Sequence, residues 1–544
     1  MDAFTVSLLL IAVVVASSAL TRMSPIVVPL PFVQIALGAL MASIFDFRVE
    51  LDPETFLLFL APLLFLDGWR IPKEGLLRDK GNIAALAFGL VFFTVVGAGC
   101  FIHWMIPAMP LAVAFALAAA LSPTDAVAVS AIINRAPLNR RLMQILAGES
   151  LLNDASGLVC MRFAVAAVAT GAFSISDAFA TFLWVAVGGV VMGVSITWLA
   201  TSGKDWVARR FGEETGSQIL ISLLIPFAAY ILAERAEVSG ILAAVAAGIV
   251  MSYEERSGQA LAITRLRRAA VWDALQFLGN GVIFILLGEQ LPTIVSNATE
   301  VLRETGEHRQ WWLLAYVVAI YGVLIAMRAI WVWCTFRLLR FCMDGAEQQF
   351  QMRGWRLVAV TSLCGVRGAV TLAGVLAFPF VLADGSPFPT RDLAIFLAAG
   401  VIVLSLVTAK LGLPYVLMGT NTSPEPLRRA MEDKVRIATA QAAIAAVKRR
   451  LEEGGRDERA LALEMEAGTQ IIALYRQRID VLMKTGSDIA LAQSVGEAER
   501  VLRLVAIRAE RAELYRIVRS DHLPDELVRR LIRETDLLES RFSL

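Results

Sequence analysis

Apolar runs long enough to cross a bilayer recur along this chain, and they leave one class of fold open. A helix needs about 20 apolar residues to span roughly 30 Å of hydrocarbon. Thirteen stretches approach or exceed that length: 4–20, 25–44, 55–70, 83–105, 110–133, 142–169, 178–201, 218–233, 238–252, 271–288, 312–336, 357–380 and 391–417. In lipid a segment must satisfy its own backbone N–H and C=O groups, and runs of this length do so as helices. At 57% hydrophobic residues and a mean hydropathy of +0.65 over 544 residues, the chain is too apolar for a soluble protein. The expected fold is an all-α membrane protein of about thirteen transmembrane helices.

The loops set an orientation. Those that follow odd-numbered spans carry 19 Lys and Arg, and those that follow even-numbered spans carry 5. The positive-inside rule then puts the odd-span loops and the C-terminus in the cytoplasm and the N-terminus outside. Residues 1–10 contain no Lys or Arg. A secretory signal needs a basic start, so 4–20 reads as a retained span. The net charge of +1 carries no nucleic-acid signal. Cys100, Cys160, Cys334, Cys342 and Cys364 lie in or beside apolar spans without a CxxC and read as reduced thiols. His103, His308 and His522 lie away from the acidic clusters described below, which argues against a histidine-based site.

Composition changes near Thr420. Residues 421–544 hold 43 charged residues in 124, 22 basic and 21 acidic. The division expected is a transmembrane domain over 1–420 and a helical cytoplasmic domain over 421–544. Ser423-Pro424 reads as a helix start. Gly454-Gly455, Gly486 and Pro524 cut the tail into about four helices. Leu491, Val495, Ala498, Leu502, Val505, Ala509 and Ala512 alternate four and three apart. Two readings fit that seam, packing inside a helical bundle and a dimeric coiled coil.

Two spans carry breaks. Span five has Ser122-Pro123 at its middle, and Pro123 removes a backbone donor and clashes with the preceding turn. Span twelve has Cys364-Gly365-Val366-Arg367-Gly368. The two lie seven spans apart, so they run in opposite directions. Paired broken helices in inverted repeats are the sequence mark of a transporter binding site. Each break carries an ionisable residue, Asp125 or Arg367, which a mere kink would not need.

A charge at the bilayer centre costs about 2.5–3.5 kcal/mol on insertion scales, so Asp125, Glu149 and Asp154 need a reason to be there. Ser150 and Asp154 are four apart on span six and share a helix face, offering hard oxygens to a small cation. Asn153 adds an uncharged amide beside Asp154. Glu149 is turned about 140° from Asp154 and needs its own partner. Arg367, at similar depth, is expected to pair with it. The Thr124 hydroxyl and freed carbonyls of the break can also coordinate, and Asp125 is placed to neutralise half-helix N-termini. Arg162 and Arg328 are expected to pair or snorkel within the bundle.

Three motifs are specific. They are Ser122-Pro123-Thr124-Asp125-Ala126-Val127-Ala128-Val129, Gly148-Glu149-Ser150-Leu151-Leu152-Asn153-Asp154-Ala155 and Gly365-Val366-Arg367-Gly368-Ala369. Together they resemble the bacterial and animal sodium/proton exchangers, over about residues 1–420. The Asn153-Asp154 pair is similar to the electroneutral branch of that family. The resemblance implies a non-enzymatic antiporter of the bacterial inner membrane, with crossed discontinuous helices in spans five and twelve. It implies that Asp154 binds cation and proton in turn, that Ser150 and Thr124 help coordinate, and that Glu149 pairs with Arg367. It also implies a homodimer with a moving core domain and a static dimerisation domain. Some microbial relatives supply a Glu from span three; here the matching residue is Asp67, either a further ligand or an interfacial anchor. No cofactor is implied beyond the transported sodium ion and proton, and no partners beyond lipid, a second copy and a regulatory ligand of the tail. Potassium/proton exchange, an ion channel and a membrane-anchored sensor are the rival readings.

Overall fold

The apolar runs fold as helices. The computed structural model describes residues 3–24, 28–45, 53–71, 73, 78–133, 140–170, 175–255, 261–304, 311–342, 354–382, 385–417, 426–452, 458–483, 487–520 and 525–543. Ser423-Pro424, Gly454-Gly455, Gly486, Pro524, His308 and His522 lie outside the described residues, as do the loop residues Arg48, Arg135, Arg256, Arg309 and Arg353. Among the described residues there is no strand, only an isolated bridge between Val381 and Pro387.

The chain divides into two units, Met1–Thr422 and Ser423–Leu544. The first contains α1 (Ala3–Met23), α2 (Leu30–Phe45), α3 (Pro53–Arg70), α4 (Lys80–Met105), α5 (Leu111–Leu121), α6 (Ala126–Ile133), α7 (Arg140–Thr170) and α8 (Ile175–Phe211). It continues with α9 (Thr215–Arg235), α10 (Gly240–Glu254), α11 (Ala262–Glu304), α12 (Trp311–Cys342), α13 (Gly354–Leu363), α14 (Ala369–Leu376) and α15 (Arg391–Leu417). Eight of the described helices are long and apolar enough to cross a membrane, and three shorter apolar ones accompany them. The expected breaks are real gaps. Span five is the pair α5 and α6, and span twelve is the pair α13 and α14.

Apolar side chains gain little by leaving lipid for a neighbouring helix, so close packing has to come from shape. Small residues supply it. A Cβ on Gly38 would strike the backbone of Ile285, and one on Gly288 would strike that of Ile35, so α2 and α11 touch backbone to backbone. Gly68 and Gly248 do the same for α3 and α10. The interior of the first unit is correspondingly close-packed: Ala114 to Leu121 form a fully buried run apart from half-buried Phe115.

Helix α4 carries one irregularity, a π-turn at Ala85–Gly89. A π-turn inserts a residue and loosens local carbonyl bonding. Ser156 of α7 donates its hydroxyl to the Ala87 carbonyl at 2.7 Å. The two helices are thereby joined next to the Asn153-Asp154 pair.

The second unit is built of two helical hairpins, α16 (Pro426–Glu452) with α17 (Glu458–Met483) and α18 (Ser487–Ser520) with α19 (Asp525–Ser543). Leu451 packs over Gly468 in the first hairpin. In the second, Arg511 pairs with Asp536 at 2.7 Å and Arg508 with Glu539 at 3.3 Å.

Candidate cation-binding site

The two breaks meet. The Asp125 backbone N–H donates to the Val366 carbonyl at 2.7 Å, tying one gap to the other. A helix that stops in lipid leaves carbonyls at its C-terminal end and N–H groups at its N-terminal end without partners. At this crossing each set finds an opposite charge. Asp125 accepts from the Ala128 N–H at 2.9 Å, capping α6. Its carboxylate also lies so close to Gly368, which caps the start of α14, that a Cβ there would overlap it. The two positive helix ends therefore share one carboxylate.

Arg367 serves the negative ends. Its Nε donates to the Leu121 carbonyl at 3.1 Å, at the end of α5, and a terminal nitrogen donates to the Gly365 carbonyl just past α13. The backbone N–H of Arg367 is held by the Ser405 hydroxyl at 3.1 Å. These bonds correct the pairing expected from sequence. Glu149 is not bound by Arg367; its partner is Arg328 of α12. The Arg328 guanidinium grips both carboxylate oxygens of Glu149, one of them at 2.8 Å, and its Nε donates to the Thr361 carbonyl at 2.9 Å. The reason is a competition for donors. Arg367 sits inside a break and is taken up by loose carbonyls, whereas Arg328 sits in a continuous helix and has its fork free. Both arginines are buried, and Glu149 is 0% exposed.

Asp154 lies on the other side of α7. A cavity of about 200 Å³ opens there, with Asp67, Thr124, Asp125, Ser150 and Asp154 in its wall. The sequence reading put Thr124, Ser150 and Asp154 at the ion and Asp125 at the break, and left Asp67 as either a ligand or an interfacial anchor; the fold brings all five to one space. Ser150 stitches α7 to the gap, donating to the Thr124 carbonyl at 2.6 Å and accepting from the Ala126 N–H at 3.3 Å. A hydroxyl oxygen so engaged keeps a lone pair for a cation. No described residue donates a hydrogen bond to the carboxylate of Asp154 or of Asp67. Hard oxygen ligands with a carboxylate free of protein donors suit a small alkali cation or a proton.

Asn153 is not part of that wall. Its amide donates to the Thr124 hydroxyl at 2.9 Å, and that hydroxyl faces Glu149 at 3.5 Å. One residue of helix turns it about 100° away from Asp154, toward the Glu149 side. Its Oδ1 is buried without a hydrogen-bond partner among the described residues. The cavity wall also includes Gln276 and Asn280 of α11, which the sequence reading missed. Their signal was present, two amides four apart on an otherwise apolar stretch. Arg70, also in the cavity wall, donates to Gln276 at 2.7 Å and pairs with Asp273. Arg162 pairs with Glu234 at 2.7 Å and reaches the Tyr230 hydroxyl at 3.1 Å.

The family model for the transmembrane sodium/hydrogen exchangers matches residues 8–419. The chain belongs to the sodium/hydrogen exchanger family. An uncharacterised Na+/H+ exchanger of Escherichia coli, YjcE, is 39% identical over 546 residues, spanning 99% of both chains. A protein of Bacillus pumilus described as a sodium, potassium, lithium and rubidium/H+ antiporter is 35% identical over 546 residues, covering 100% of this chain and 78% of its own. Among solved structures, the sodium proton antiporter MjNhaP1 of Methanocaldococcus jannaschii superposes with a TM-score of 0.58 at 16% identity. It covers 77% of this chain and 100% of its own, and that likeness shows a shared fold. This exchanger-family chain is thus a membrane-spanning protein of ion transport, from a family of antiporters and not of enzymes.

Proposed function

We infer that the protein exchanges a cytoplasmic monovalent cation, sodium first, for protons, one for one, by alternating access. The observation that carries this is Asp154, a buried carboxylate with no donor among the described residues, on a cavity where two broken helices meet. Ser150, Thr124 and Asp67 complete a cation shell around it. The other charges of the site are spent: Glu149 on Arg328, Asp125 on helix N-termini, Arg367 on helix C-termini. If Asp67 keeps one charge state throughout the cycle, Asp154 holds either a cation or a proton, and the site carries the same charge both ways. The thirteen-span topology in the plasma membrane, with the N-terminus outside and the C-terminus cytoplasmic, belongs to the same proposal. So do the inverted repeat, the homodimer and a regulatory role for residues 421–544.

A second reading is exchange of potassium as well as sodium. The described breadth of the Bacillus pumilus relative supports it. Hard oxygen ligands alone do not separate the two ions.

Purified protein in proteoliposomes with an entrapped pH dye tests both. Sodium, lithium and potassium are added in turn, and the equilibrium point is then measured at several membrane potentials set by potassium and valinomycin. Net charge movement is worth about 2.3 kcal/mol per charge per 100 mV, so it would be plain. One-for-one exchange predicts an equilibrium point that voltage does not move. A voltage-dependent point would mean that a second carboxylate, Asp67 foremost, also carries a proton.

A further inference from the structure

A polar face of α11 runs past the cavity. Asp273, Gln276 and Asn280 are three and four apart and share one side of the helix, and Gln276 and Asn280 stand in the cavity wall. Arg70, the last residue of α3, meets this face from the same wall. One terminal nitrogen of its guanidinium donates to the Gln276 side-chain oxygen at 2.7 Å, and the other pairs with Asp273.

Asp67 is a second carboxylate within Arg70's range. The two residues are three apart on α3 and line the same cavity. Residues at that spacing are neighbours, and a long side chain on a helix leans back over the preceding turn, where Asp67 stands. Asp67 is half-buried and accepts no hydrogen bond from a described residue, whereas Asp273 is 65% exposed. Opposite charges attract less at a wetted surface than in a half-buried wall. Arg70 is nonetheless held on α11, where two acceptors one turn apart take two nitrogens of its fork at once.

We propose that Asp273 and Gln276 are positioning residues that tether Arg70 to α11 and so keep its guanidinium off Asp67. Cut loose, Arg70 would settle on the Asp67 carboxylate as a built-in rival of the transported cation. Its effective concentration there is set by the short chain between the two residues and cannot be diluted away. The tether thereby sets how tightly the cavity holds a cation. Only in taking Asp67 as a ligand does it rest on the cation shell proposed above.

Sodium-driven exchange in proteoliposomes and carbodiimide labelling of Asp67 test the tether together. Asp273→Ala should raise the apparent KM for sodium several-fold while the maximal rate stays within about twofold, the mark of weakened ground-state binding. Gln276→Leu, which removes one of the two acceptors, should give a smaller shift in the same direction. Asp273→Glu, which keeps the charge, should stay near wild type. Adding Arg70→Gln to Asp273→Ala should return the KM to the wild-type value, because the rival is gone; a general loosening of α3 against α11 would not be repaired that way. Labelling reads the contact without any transport. A hydrophobic carbodiimide reacts with a protonated carboxyl and spares a carboxylate held in an ion pair with a guanidinium. Labelling at Asp67, located by mass spectrometry, should fall several-fold in Asp273→Ala and recover in the double variant. Labelling unchanged by Asp273→Ala would overturn the proposal, and so would a raised KM that Arg70→Gln does not relieve. Wild-type labelling far below that of Arg70→Gln would show Arg70 already on Asp67 and would overturn it too. The expected labelling pattern in a protein whose sodium exchange is absent or unmoved would uphold the tether, and would overturn instead the antiport reading or the place of Asp67 in the cation shell.

Discussion

Glu149 and Asp154 sit five residues apart on one helix, both buried, and the structure treats them in opposite ways. Glu149 is closed off: two donors of Arg328 grip it, and the Thr124 hydroxyl faces it. Asp154 is left open on the cavity with no donor from the described residues. Burying a carboxylate is costly; on one side of α7 the Arg328 guanidinium offsets that cost, and on the other, on the function proposed above, the bound cation or proton offsets it. A carboxylate gripped by a guanidinium is a strut. On that proposal, a carboxylate with no donor among the described residues is a place for cargo.

The contrast breaks if Asp154 proves replaceable. Asp154→Asn should abolish exchange in proteoliposomes while the protein still elutes as a folded species with undiminished thermal stability, because the change removes an uncompensated buried charge. Residual exchange of more than a few per cent would end its role as the shared binding group. Glu149 should behave in the reverse manner. Glu149→Gln or Arg328→Gln leaves a buried unpaired charge, costing about 3–5 kcal/mol in detergent unfolding. The double substitution should recover part of that loss, whereas Glu149→Gln with Arg367→Gln should be additive. Coupling of Glu149 to Arg367 would reverse the assignment made here.

The smallest effect concerns the first turn of the same helix. Asp79, ahead of α4, accepts from Arg141 at 2.6 Å and from Arg78 at 3.1 Å. Burial pushes its carboxyl up, but the hydrogen bonds and charges of the two arginines outweigh that and hold it below the ordinary value. A depressed carboxyl stabilises the fold above the unfolded-state pKa of about 3.9 and loses that contribution as pH falls through the folded value. The melting temperature of Asp79→Asn should therefore lie below wild type near neutral pH, with the gap closing only under strongly acid conditions. A gap that stays constant into acid would show that the ion pair contributes nothing.

The breaks and four of the polar wall residues, Thr124, Asp125, Ser150 and Asp154, were legible in one dimension, because their signals are local; Asp67 was left between ligand and anchor. Pro123 after Ser122, and Gly365 with Gly368, weaken a helix locally and each stretch carries a charge that a kink would not need, and Ser150 and Asp154 share a face by spacing alone. Pairing across helices was not legible. Arg328 and Arg367 are both arginines at plausible depth, and choosing between them required knowing which one the orphan carbonyls of α5 and α13 would claim. A rule follows for such chains: satisfy the backbone of a broken helix first, then assign the remaining charges. Asn153 went astray for a related reason. Adjacency to Asp154 in sequence is a rotation away from it in space.

The π-turn of α4 has a consequence for how the chain can tolerate length changes. One surplus residue at Ala85–Gly89 acts as a phase adjuster, twisting one end of the helix by about 100° against the other. On the near side of the turn, Ile83 fits against Gly148 and Asp79 meets Arg141; on the far side, Gly97 and Gly99 admit Met327 and Phe115. A uniform α-helix would put only one of these sets in phase. Deleting a single residue from 85–89 would thus shorten the chain by a trifle, yet spin every neighbour on one side out of mesh, like a gear moved one tooth on its shaft.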